Sequence, residues 1–175
     1  MDQEYPARKN LRLSCYDYDT PGACFITFCT HNRKNMLSRI VGAIHESPVV
    51  QLTACGQMVD RVIQSLPQHI GVTVDRYVIM PNHVHMILLV PEGDRAIHES
   101  PLRGRSSISK AVGYIKMNAS KQMRRQFGPM DPWQRGYYDH VIRNREDYVS
   151  IANYIAENPL RWELDKLYSE EWAEI

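Results

Sequence analysis

The stretch His83-Val84-His85-Met86-Ile87-Leu88-Leu89-Val90, entered through Met80-Pro81-Asn82, constrains the fold more than any other part of the chain. Beyond its two histidines it is apolar at every position. A strand points alternate side chains to opposite faces, so an unbroken apolar run needs cover on both, which a central strand has. Pro81 supplies a fixed φ and Asn82 suits a turn, so residues 72–80 read as a strand that doubles back into 83–90.

The remaining elements arrange themselves around that hairpin. Residues 23–30, rich in aromatic and β-branched types after Pro21-Gly22, read as a first strand. Val59, Ile63, Leu66 and Ile70 recur at helical spacing and predict a helix over 56–70. A second helix is expected over 106–127, capped by Ser106 or Ser107, with Ile108, Val112, Ile115, Ala119 and Met123 on one face and Gly128-Pro129 as its stop. Residues 133–142 read as a fourth strand, and 146–158 as a third helix with Tyr148, Ile151 and Ile155 inward and Asn158-Pro159 at its end. The order β-α-β-β-α-β-α predicts an α+β, ferredoxin-like split βαβ arrangement, an antiparallel sheet with helices packed on it and an extra C-terminal helix.

At 175 residues, 43% of them apolar, the chain suits one domain spanning 1–175. No apolar run approaches the ~18 residues of a membrane span. The first residues carry acids and no apolar stretch, so the expectation is a cytoplasmic, nucleoid-associated protein. Cys15, Cys24, Cys29 and Cys55 form no C-x-x-C pair, which argues against a structural zinc site and for free thiols. Ala43-Ile44-His45-Glu46-Ser47-Pro48 recurs as Ala96-Ile97-His98-Glu99-Ser100-Pro101. Both copies fall in expected loops, near 42–49 and 95–102, where insertions are cheap, so His45 and His98 are poor candidates for chemistry.

His83 and His85 are two apart on a strand and therefore present their imidazoles to one side, as a metal site requires. Asn158 lies about 20° from Ile151 on the helical wheel and so faces the sheet. Its inward amide reads equally as a metal ligand or as a cap before Pro159. Tyr154, one turn earlier, shares nearly the same face. Taken alone it reads as packing before it reads as a nucleophile. Tyr114 is a rival nucleophile better suited to stacking, and His140 is an alternative ligand or a DNA contact.

Net charge is only +1, but Arg103, Arg105, Lys110, Lys116, Lys121, Arg124 and Arg125 fall in one acid-free stretch that would attract phosphates. Trp133-Gln134-Arg135-Gly136-Tyr137-Tyr138, with Arg143 beyond it, mixes aromatic and basic residues as single-strand binders do, and reads equally as an ordinary strand. Arg8, Lys9 and Arg12 form a basic arm that either reaches a groove or is solvated charge.

Together, Tyr16-Asp17-Tyr18 to Cys29-Thr30-His31-Asn32-Arg33, Val78 to His85, Trp133 to Tyr138, and Tyr154-Ile155-Ala156-Glu157-Asn158-Pro159 resemble the REP-associated tyrosine transposases, HUH single-strand transposases with one catalytic tyrosine. The likeness covers nearly the whole chain apart from the two repeat-bearing loops. It implies cleavage and rejoining of single-stranded or hairpin DNA from repetitive extragenic palindromes. It further implies His83, His85 and Asn158 as ligands of a divalent metal, Mg²⁺ or Mn²⁺, and Tyr154 as the nucleophile that forms a 5′-phosphotyrosine. The class is monomeric in most members, with dimers in related transposons. Two rival readings use the same fold: a non-catalytic DNA or RNA hairpin-binding regulator, and a metal-dependent hydrolase in which water attacks.

Overall fold

The computed structural model describes residues 21–42, 48–91 and 106–174. Strand β1 (Gly22–Cys29) is followed by a short hairpin of β2 (Ser38–Val41) and β3 (Val49–Leu52), helix α1 (Ala54–Ile70), strands β4 (Thr73–Ile79) and β5 (His83–Val90), helix α2 (Ser107–Phe127), strand β6 (Tyr138–Ile142) and helix α3 (Arg145–Glu157). A 3-10 segment, Asn158–Leu164, continues directly from α3. The main sheet has the order β4-β5-β1-β6, and all its neighbouring pairs are antiparallel. This is the α+β split βαβ arrangement anticipated from the element order.

The two inner strands are buried because both faces are covered. Val84, Met86 and Leu88 of β5 join Cys24, Ile26 and Phe28 of β1 in a core shared with Val59, Ile63 and Leu66 of α1 and Ile108, Val112 and Ile115 of α2. The alternate residues, Phe25 and Ile87, pack instead against Ala152 and Ile155 of α3. Strand β4 is an edge; a register irregularity between Val74 and Arg76 breaks its regularity, and such edge bulges discourage pairing with another chain.

Local chemistry sets the helix ends. Thr53 Oγ1 accepts the Gly56 N–H at 3.1 Å to cap α1, and Gly71 ends it at φ 74°. Gly56 is required by close approach, since a Cβ there would overlap the carbonyl oxygen of Leu37. Ser106 caps α2 through the Ser109 N–H, and Asn144 Oδ1 caps α3 by accepting from Asp147 N at 2.8 Å.

Three features differ from the sequence reading. The last sheet strand begins at Tyr138, and Trp133 makes only an isolated bridge to Thr30. Between them Gly136 takes φ 80°, and the Lys116 ammonium donates to the carbonyls of Gln134 and Gly136, which removes those groups from a ladder. The β2–β3 hairpin was not anticipated; its connection contains residues 43–47, so the first repeat copy lies largely outside the described residues, as does the second at 96–101. The chain after Asn158 winds into a further turn rather than ending the helical region there.

Candidate active site

The strand period carries His83 and His85 to the α3 side of the sheet, opposite Cys29 and Thr27 of β1. Their ring centroids are 4.4 Å apart, and both side chains are buried. Asn82 determines how His83 is aimed. Its Nδ2 donates to Arg33 O at 2.9 Å and Leu167 O at 2.8 Å, so its Oδ1 must be the atom that accepts from His83 Nδ1 at 2.9 Å. The proton is thereby fixed on Nδ1, and His83 Nε2 carries a lone pair. That nitrogen is buried and has no hydrogen-bond partner among the described residues. His85 Nδ1 meets Thr27 Oγ1 at 2.7 Å, leaving Nε2 to face the hydroxyl of Tyr154 at 3.3 Å.

Both rings are neutral. Burial pushes the His83 pKa down to about 3, outweighing the nearby Asn158 amide, which favours a protonated ring, and Arg33 lowers it further. Burial likewise holds His85 well below the usual histidine range, aided by its proximity to His83 and opposed by Asp165.

Helix α3 supplies the other groups. Tyr154 on α3 and Asn158, the residue that closes it, lie one helical turn apart on the site-facing side. Tyr154 is 43% exposed, so its ring closes the cleft while its hydroxyl stays reachable. Its ring stands edge-on to Phe25, with centroids 6.1 Å apart. Burial raises the phenol pKa, and the charge of Asp165 raises it further, so the group is protonated at neutral pH. Asn158 is buried and donates from Nδ2 to Asp165 Oδ2 at 2.9 Å, while its Oδ1 has no partner. These groups border a cavity of about 780 Å³, lined also by the carboxylates of Glu157 and Asp165 and by Arg161 and Lys166, with Arg161 paired to Glu157 at 2.8 Å.

The donor set fits a divalent cation. With the proton on Nδ1, His83 Nε2 and Asn158 Oδ1 are two buried acceptors without a hydrogen-bond partner among the described residues. Leaving a buried polar atom unpaired costs about 1–3 kcal/mol, which a bound cation offsets. His83, His85 and Asp165 also bring potential ligand atoms within 4.8 Å of one another. Asp165 was missed by sequence reasoning. It lies beyond Pro159, outside any period shared with Asn158, and reaches the site only because the 3-10 segment turns the chain back.

The other sequence candidates scatter. Trp133 is buried, packs edge-on against Phe28 with centroids 5.3 Å apart, and donates its indole N–H to Lys116 O. It serves the core, and its small remaining surface borders a hollow shared with His31, Arg33 and Arg135. Tyr114, half-buried, stacks on His69 in the layer of α1 and α2, across the sheet from the histidine pair. Lys110 and Lys121 also lie on α2, away from the cleft. Arg135 is exposed beside His31, Asn32 and Arg33 in a separate hollow. His140 pairs with Asp147 at 2.9 Å rather than with the histidines, and the exposed Arg143 donates its backbone N–H to the same carboxylate. Arg8, Lys9, Arg12, Arg103 and Arg105 lie outside the described residues.

A split βαβ sheet whose central strand sets two neutral imidazoles beside a helix-borne phenol has the architecture of the single-tyrosine transposases. The chain belongs to the IS200-like transposase family, whose model matches residues 25–158. It is 33% identical over 172 residues to an uncharacterized protein of Haemophilus influenzae, covering 92% of this chain and 93% of that one. It is 27% identical over 144 residues to a REP-associated tyrosine transposase of Escherichia coli, covering 82% of this chain and 70% of the relative. Among solved structures it resembles a REP-associated tyrosine transposase bound to a REP hairpin, with TM-score 0.57, 25% identity, and coverage of 89% and 87% of the two chains. No helix among the described residues is long and apolar enough to cross a membrane.

Proposed function

We propose that this transposase is a divalent-metal-dependent endonuclease and strand transferase for single-stranded DNA bearing REP-like hairpins, working through a covalent 5′-phosphotyrosine on Tyr154. One observation carries the reading: the Tyr154 hydroxyl lies 3.3 Å from His85 Nε2, in the cleft where Asn158 Oδ1 and His83 Nε2 are both unpaired. The hairpin-bound structural relative supports the choice of substrate.

His83, His85 and Asn158 would hold the metal, Mg²⁺ or Mn²⁺. Such an ion would polarise the scissile phosphate and neutralise charge developing on it. Tyr154 supplies the nucleophile. Its oxygen attacks phosphorus and gives up the phenol proton to solvent, the bond from phosphorus to the 3′ oxygen breaks, and the departing strand takes a proton from solvent to leave as a 3′-hydroxyl. The 5′ phosphate remains esterified to Tyr154, so bond energy is conserved for rejoining when another 3′-hydroxyl attacks. Phe25 and the sheet fix the ring, and the exposed Lys166 lies where it can meet a backbone phosphate.

The test is a denaturing gel of the protein with hairpin-bearing single-stranded DNA and Mn²⁺. The expected result is a denaturant-resistant protein–DNA species that Tyr154→Phe abolishes without loss of hairpin binding. Cleavage that survives Tyr154→Phe would instead indicate attack by water. Binding without any adduct in the unsubstituted protein would indicate a regulator.

A further inference from the structure

The two unpaired acceptors of the cleft are aimed by one continuous polar circuit behind them. His83 Nδ1 donates to Asn82 Oδ1 at 2.9 Å, and Asn82 Nδ2 donates to Leu167 O at 2.8 Å. The next residue interaction turns back: Leu167 N donates to Asp165 Oδ1 at 2.7 Å, and Asp165 Oδ2 accepts from Asn158 Nδ2 at 2.9 Å. The circuit begins on one proposed metal donor and ends on another.

We propose that Asp165 is a positioning residue whose carboxylate selects the orientation of the Asn158 amide, with Asn82 doing the same for the His83 ring. The inference rests on the reading of His83, His85 and Asn158 as metal donors. A carboxylate accepts hydrogen bonds and donates none, so the edge of Asn158 facing it must be the NH₂ group. The amide oxygen is thereby turned to the opposite side, where it is buried without a partner. An asparagine free to flip would present two N–H donors to the ion in half of its arrangements and would bind nothing there. Both oxygens of Asp165 are already engaged, Oδ1 by Leu167 and Oδ2 by Asn158 and, at 3.4 Å, by Tyr154. The acceptors of the cleft without a partner among the described residues are those of His83 and Asn158, so Asp165 is set behind the ligands; direct ligation through the second lone pair of its Oδ1 is the outcome that would overturn the proposal. Outer partners of this kind contribute about 10–100-fold to metal affinity.

The discriminating experiment is a double-substitution cycle read by calorimetry with Mn²⁺ alone, on full-length protein whose fold is checked by circular dichroism. Asp165→Ala is expected to weaken Mn²⁺ binding at least tenfold. In a protein already carrying Asn158→Ala, which has no amide to orient, Asp165→Ala is expected to change affinity by less than threefold. An equal loss in both backgrounds would make Asp165 a direct ligand and overturn the proposal, as would no loss in either. Full retention of Mn²⁺ binding by His83→Ala would sink the underlying donor assignment instead. A measurement on the unsubstituted, metal-free protein covers the case in which Asp165→Ala does not fold. Nuclear magnetic resonance should show a through-hydrogen-bond coupling between Asn158 Nδ2 and the Asp165 carboxyl carbon. An Asn158 NH₂ that exchanges with solvent at the rate of an exposed amide would overturn the inference.

Discussion

A histidine buried in its neutral form ties stability to pH. In the metal-free protein His83 has a folded pKa of about 3 against an ordinary histidine value of 6.5, so below pH 6.5 the unfolded chain binds a proton that the folded chain refuses. The stabilising contribution is complete above that pH and is lost as pH falls from 6.5 toward the folded value. The slope for one such proton is about 1.4 kcal/mol per pH unit. Chemical denaturation between pH 7 and pH 4 should show stability falling more steeply in the unsubstituted protein than in His83→Gln. Equal slopes would mean that the ring is protonated or exposed. At this scale the sequence was partly legible. The pairing of His83 with His85 follows from a period of two, and the approach of Tyr154 and Asn158 to one face follows from a period of 3.6. Asp165 was not legible, because no period links it to the helix. Its position depends on Asn82 and Arg33, which fasten the backbone at Leu167 and Lys166.

Among the elements, strand β5 was readable because apolar residues on both faces admit only an interior place in a sheet. Strand β6 was overextended. Residues 133–137 have strand-like composition, but the aromatic content serves burial of Trp133 against Phe28, and Lys116 holds the intervening carbonyls. The β2–β3 hairpin escaped notice because its strands are four residues each, too short to establish an alternation. Its closeness to α1 nevertheless has a sharp consequence at Gly56, which lies against the Leu37 carbonyl. Gly56→Ala gains helix propensity of about 1 kcal/mol but must push backbone apart, at a cost of roughly 1–3 kcal/mol or more. Net destabilisation is expected, with a lowered thermal midpoint. A midpoint that rises would show that the hairpin yields to α1 without penalty.

Across the whole molecule the sheet divides labour. One layer, α1 and α2, holds the larger core, and the other carries α3, the cleft and the returning chain. The exposed cation at Lys166 borders the cleft, whereas Lys121 sits on the far layer. Lys166→Ala should therefore weaken binding of single-stranded DNA to the cleft and reduce the slope of log affinity against log salt by about 0.7, the value for one phosphate contact on a single strand. Lys121→Ala should alter that slope less. A reversed ranking, measured by fluorescence anisotropy over a salt series, would place the strand across α2 instead. The basic stretch was visible in the sequence, but which side of the sheet it occupies was not, since that depends on the handedness of the crossover joining β5 to β6.

The circuit through Asn82, Leu167 and Asp165 also bears on where this enzyme can be shortened. The span shared with its family stops at residue 158, whereas the residues that steer Asn158 come seven and nine positions afterwards. An engineer trimming the protein to the common portion would retain every proposed metal-binding side chain and discard the brace that points one of them. A chimera built at that junction would inherit the right parts, wrongly aimed.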